Sequence, residues 1–251
     1  MKSSESISFR RLAGFLEFIL EYLFYSVFVG DDNKCRHSPL VLNIGFIVVV
    51  IFIISRGGFL NIITGVSAVA LQIVLKRKCI VLRPVIILSL IPSAFYGVIS
   101  IILRPDIILA LEAVARVFTI SLSTLLVLQQ INPVEISWLL SRLGVNSRSV
   151  LYPSLVWRVS PHLLKDMRLA LLVNRLKESD LWKSIAVSII VFDEYADLYE
   201  EGLLSREKIS ISYWYDPRES IKSMILLITP LIMYMLQCMY SYSFLLYLGI
   251  L

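Results

Sequence analysis

The stretch 107–128, IILALEAVARVFTISLSTLLVL, carries only two charged side chains, Glu112 and Arg116. A helix needs about 20 predominantly apolar residues to cross the hydrocarbon core of a bilayer, and this run meets that length. Its two charges have opposite sign and lie four positions apart, so on a helix they share a face, which suits neutralising each other inside a bundle better than lining a substrate path. The stretch reads as a membrane-spanning helix, and the chain around it as an integral membrane protein.

The rest of the sequence agrees. Of its 251 residues 57% are hydrophobic and 17% charged, too apolar and too charge-poor for an ordinary soluble domain. Three further apolar runs precede the fourth: 39–55, 59–75 and 84–103. A last run, 221–250, is either one tilted helix or a helix broken near Pro230. The early stretch 15–28 places Glu17 and Glu21 on one helical face, which suits a helix lying in the membrane interface rather than crossing it. Its two acids, with no small-residue cleavage site after them, argue against a signal peptide. The expected fold is all-α and polytopic, with about five transmembrane helices. Its segments are an interfacial and cytoplasmic N-terminus (1–38), a four-helix membrane region (39–128), a cytoplasmic helical region (129–220) and a final span (221–251).

Positive charge sets the expected orientation. Of 24 lysines and arginines, five precede residue 39, four lie at 76–83, and twelve follow residue 129, whereas the turns near Arg56 and Arg104 hold one each. Cytoplasmic segments carry the excess of Lys and Arg, so the N-terminus, the 76–83 loop and region 129–220 are expected in the cytoplasm of a plasma-membrane protein. The net charge of +5 needs no nucleic-acid partner, because anionic lipid beside the spans favours it.

Region 129–220 reads as amphipathic helices in series. INPVEISWLLSRLGV (131–145) has Asn132 at an N-cap position, Pro133 at the first helical position, Glu135 at the third and Gly144 where a C-cap glycine belongs. A second helix is expected over 149–177, kinked or interrupted near Pro161. The apolar piece 181–192 is too short to span and is expected to lie on the membrane face. Leu164, Met167, Leu171 and Arg175 follow spacings of 3, 4 and 4, and Tyr195, Leu198, Gly202 and Arg206 repeat them. Such spacings trace one helical face, so an arginine closes each apolar stripe; it either snorkels to lipid headgroups or water or, on a buried face, needs a partner.

Read together, Asn132-Pro133, Leu143-Gly144, Arg158-Val-Ser-Pro161, Asn174-Arg175-Leu176 and Ser205-Arg206-Glu207 fall in an order that resembles the transmembrane (T) component of energy-coupling-factor transporters, the family that includes the CbiQ-type cobalt permease subunit. YADLYEEGLLSRE (195–207) is similar to that family's RADELALAMEARG at Ala196, Asp197 and Arg206, and Glu207 stands where the family has glycine. The likeness covers the 129–222 region and extends to the earlier spans only in number and layout. It implies a scaffold that grips two cytoplasmic ABC ATPases through Arg175 and Arg206, flanked by Asn174 and Ser205. Leu164, Met167, Leu171, Tyr195, Leu198, Gly202, Arg158 and Pro161 would pack the coupling helices. A membrane-embedded substrate-binding S component would select the cargo, a vitamin or a cobalt or nickel ion. The chain itself would be no enzyme and hold no cofactor, since ATP is bound by the partner subunits.

Other classes fit less well. Cys35, Cys79 and Cys238 lack a metal-ligand or pairing pattern, and two histidines are too few for most metal sites. No Walker glycine loop, His-Glu-x-x-His or Gly-x-Ser-x-Gly occurs. Asp193 and Asp197 superficially match the metal-diphosphate motif of membrane prenyltransferases, but those enzymes need a second acidic motif and more spans. A non-transport structural membrane protein is the remaining alternative.

Overall fold

Apolar length and capping residues determine the helices. The structure, a computed structural model, describes residues 14–15, 18–24, 38–77, 80–103, 106–177, 186, 190, 193–194, 201 and 213–247. It describes the backbone alone at 147–148, 158, 170–177 and 241–247. Among the described residues the long helices are α1 (Leu40–Ser55), α2 (Phe59–Leu75), α3 (Leu82–Leu103), α4 (Ile107–Leu128), α5 (Pro133–Arg142), α6 (Ser147–Lys177) and α7 (Pro217–Tyr247). No strand occurs among the described residues.

The chain divides into two compact units. One comprises residues 30–131 and 214–251 and holds α1 to α4 and α7; the other comprises residues 1–29 and 132–213 and holds α5 and α6. In the first, α1 packs on α2, α4 and α7, α2 also packs on α4 and α7, and α3 pairs with α4. Phe46, Val50, Ile54, Ala68, Val127 and Leu226 form one buried cluster, and Val69, Val85, Leu122 and Leu126 form a second.

Among the described residues three helices are long and apolar enough to cross a membrane: Leu82–Leu103, Ile107–Leu128 and the Pro217–Tyr240 part of α7. The two helices α1 and α2, at 16 and 17 residues, fall short of the length of about 20 that a full span needs. The last run, open between one helix and two, is a single helix with Pro230 inside it, and it starts at Pro217 because Asp216 caps its first turn by accepting from Arg218 N at 2.9 Å. Within α3, Pro92 withdraws one backbone donor. Around it Ser89 Oγ donates to Val85 O at 2.8 Å and Ser93 Oγ to Ser89 O at 3.0 Å, so side-chain hydroxyls stay satisfied in an apolar setting.

Close approach between α3 and α4 requires a glycine. A Cβ at Gly97 would lie 2.5 Å from Val114 Cγ2. Gly97→Ala is therefore expected to cost about 1–3 kcal/mol through overpacking, and Val114→Ala in the same chain to restore most of it. Thermal unfolding in detergent checks both; equal melting of Gly97→Ala and the parent would show that the helices yield freely there.

Candidate functional site

Helix α5 forms as its capping residues dictate. Asn132 Oδ1 accepts from Val134 N at 3.0 Å, with Pro133 next to it at the first helical position. At the other end Gly144 adopts a φ of 78°, Gly144 N donates to Ser141 O and Val145 N to Leu140 O, both at 3.2 Å. These two bonds close a Schellman motif, which needs a left-handed residue at this position. The Arg142 guanidinium lies 4.5 Å from the centre of the Trp138 ring, and Trp138 meets Tyr213 at 6.4 Å.

Helix α6 runs unbroken through Pro153 and Pro161 for 31 residues, about 46 Å at 1.5 Å per residue. Of the interruption or kink expected near Pro161, the interruption is absent, and the helix continues through the proline. Leu164 and Met167 are half-buried. Together with Leu171, Asn174 and Arg175 they occupy one side of a single continuous backbone, so the first of the two stripes exists as a helical face. Arg158 and Pro161 lie earlier on the same helix. Beside Met167, Arg168 forms a 3.2 Å ion pair with Glu21 of the helical segment 18–24, which ties that N-terminal segment to α6. Tyr195, Leu198, Gly202, Ser205 and Arg206, the second stripe and its arginine, lie outside the described residues.

Comparison with protein-family models, curated proteins and solved structures returns no match.

Two polar clusters lie at opposite ends of the unit formed by α1 to α4 and α7. At the end where α2 finishes and α7 starts, the fully buried Lys76 Nζ donates to Glu219 Oε2 at 2.8 Å and to Ser223 Oγ at 3.1 Å. Ser223 Oγ donates to Asn43 Oδ1 at 3.1 Å, and Asn43 Nδ2 to Ser38 Oγ at 2.8 Å. Lys222 Nζ donates to the other oxygen of Glu219 at 2.5 Å. One chain of hydrogen bonds thus joins α1, the C-cap of α2 and the first turns of α7. Burial pulls the Lys76 ammonium below the ordinary lysine range, against the opposing pull of the Glu219 carboxylate. Nearby, Gln129 Oε1 accepts from Val81 N at 3.1 Å and fastens the entry of α3 to the exit of α4.

At the opposite end, Glu112 and Arg116 form the expected pair, and Glu112 Oε1 also accepts from Gly58 N at 3.3 Å. Gly57 and Gly58 turn α1 into α2 with φ of 74° and 87°, a left-handed conformation that glycine adopts without strain. Asn61 Nδ2 donates to Gly57 O, Gln237 Nε2 donates to Asn61 Oδ1 at 2.9 Å, and Thr64 Oγ1 donates to Gln237 Oε1 at 3.1 Å. This second chain of bonds runs from α4 through the α1–α2 turn to α7. Among the described residues no group of three or more His, Cys, Asp or Glu side chains is placed to hold a metal ion.

Proposed function

We propose that the chain is the multi-pass scaffold of an energy-coupling-factor importer in the plasma membrane. In this reading α1, α2, α3, α4 and α7 all cross, the short α1–α2 hairpin with help from the polar ends that bracket it, and α5 to residue 213 face the cytoplasm. Two ABC ATPases grip the coupling helices at Arg175 and Arg206, and an S component that binds a vitamin or a cobalt or nickel ion docks in the membrane.

The observation that carries the reading is α6, one long helix that holds Leu164, Met167, Leu171 and Arg175 on one side. A guanidinium at the end of such a stripe can make two parallel hydrogen bonds to a carboxylate in an ATPase groove, a geometry lysine lacks. Opening and closing of the ATPase pair would then move the coupling helices, and these would tilt or release the S component. ATP chemistry stays with the partners.

Purification of the tagged chain from its own host's membranes tests the reading. Two ABC ATPase subunits and a small membrane protein are expected to accompany it in fixed proportion. A chain that elutes alone, folded and without any ATPase, overturns the assignment.

A further inference from the structure

The register of the helices makes the two hairpins unequal in height. Helices α2 and α4 run in the same direction, and Gly58 N meets Glu112 at a separation of 54 positions. The same separation recurs where a Cβ at Gly65 would lie 3.7 Å from Thr119. Residues 107–111 of α4 therefore rise past the point where α2 begins, by about 7 Å at 1.5 Å per residue. Helices α1 and α7 are also parallel: Gly45 abuts Leu227, and one fixed separation later Phe52 meets Tyr234 with ring centres 5.8 Å apart. One turn further, Arg56 is level with Cys238. Helix α7 continues from there to Tyr247, about 13 Å more.

The α1–α2 turn is thus the floor of a notch, with α4 and α7 rising beside it. That floor is polar. Arg56 is exposed, its guanidinium 4.8 Å over the Phe52 ring, and the Arg116 side chain is one-third exposed beside Glu112. Gly57, Gly58, Asn61 and Gln237 add amide groups. Charged and amide groups below the level of flanking apolar helices are costly in hydrocarbon, so they face water or a cavity.

We propose that this notch is a water-filled recess, open on the side of the membrane away from Lys76, that admits small hydrophilic solutes as far as Arg56 and favours anions. The preference follows from two guanidiniums against one carboxylate on a floor with low-dielectric walls, which concentrate the field. Which face of the membrane it opens to rests on the charge-based orientation of the proposed scaffold.

The native Cys238 is the probe. It is exposed and lies one turn beyond Tyr234 on the same side of α7. In a chain with Cys35→Ser and Cys79→Ser, intact cells are treated with membrane-impermeant methanethiosulfonates, one carrying a sulfonate and one a quaternary ammonium. Both are expected to modify Cys238. Normalised to their rates with free cysteine, the sulfonate reagent is expected to be favoured several-fold, an advantage that Arg56→Gln removes. Leu236→Cys in a chain whose own cysteines are all serine samples the opposite side of α7 and is expected to resist both reagents. Modification only in inside-out vesicles would retain the recess and reverse the orientation, which would sink the scaffold's topology instead. Resistance of Cys238 from both sides overturns the recess, and equal normalised rates overturn the anion preference.

Discussion

Glu219→Leu is expected to lower the apparent melting midpoint of the detergent-solubilised protein by about 10 °C. The substitution leaves Lys76 fully buried with Ser223 Oγ as its one remaining hydrogen-bond acceptor among the described residues. An uncompensated buried charge of this kind costs about 3–5 kcal/mol, whereas a well-packed apolar replacement of the whole pair is often neutral. The double variant Glu219→Leu with Lys76→Met is therefore expected to recover most of the loss. Lys222, the second partner of Glu219, has a 37% exposed side chain and can turn its ammonium to water, so it adds little to the cost. Losses that simply add in the double variant would show that the two side chains are energetically independent and that the cluster does not hold the bundle end together.

The apolar helices were legible because length and hydrophobicity alone determine them. Runs 59–75 and 107–128 coincide with α2 and α4, and α1 and α3 begin within two residues of their expected starts. Apolarity alone puts the start of α7 at residue 221, four residues late. The earlier signal was the Asp216-Pro217 pair, an N-cap followed by proline at the first helical position. The same pairing at Asn132-Pro133, with Gly144 beyond the last turn, marks both ends of α5. At Pro161 the sequence suggests an interruption or a kink, and α6 is not interrupted there, since one missing backbone donor need not end a helix.

The polar clusters were not legible. Lys76 and Glu219 are 143 positions apart, and nothing local marks either as the other's partner. Lys76 sits in the basic 76–83 loop and counted there as a topological charge, while Asn43, Asn61 and Gln237 look like scattered polar residues within apolar runs. Only the parallel register of α1 and α2 with their neighbours turns them into two connected ends. Glu112 and Arg116 were legible as a pair because helical spacing brings them together; the third member, Gly58 N, was not.

In the proposed scaffold a guanidinium at the end of the α6 stripe couples this chain to an ATPase. Arg175→Glu is expected to reduce ATPase retention in the purified complex at least about 30-fold, because breaking a buried charge pair at an interface costs about 2–5 kcal/mol. Arg175→Lys is expected to lose less, since the charge remains and only the two-pronged hydrogen bonding is gone. Arg206→Glu is expected to weaken retention to a smaller extent, with Glu207 already beside it. The deciding measurement is uptake and ATPase content of membranes carrying Arg175→Glu at parental expression. The account predicts a correctly inserted chain that has lost its ATPases and its transport; bound ATPases with uptake at the parental rate would contradict it.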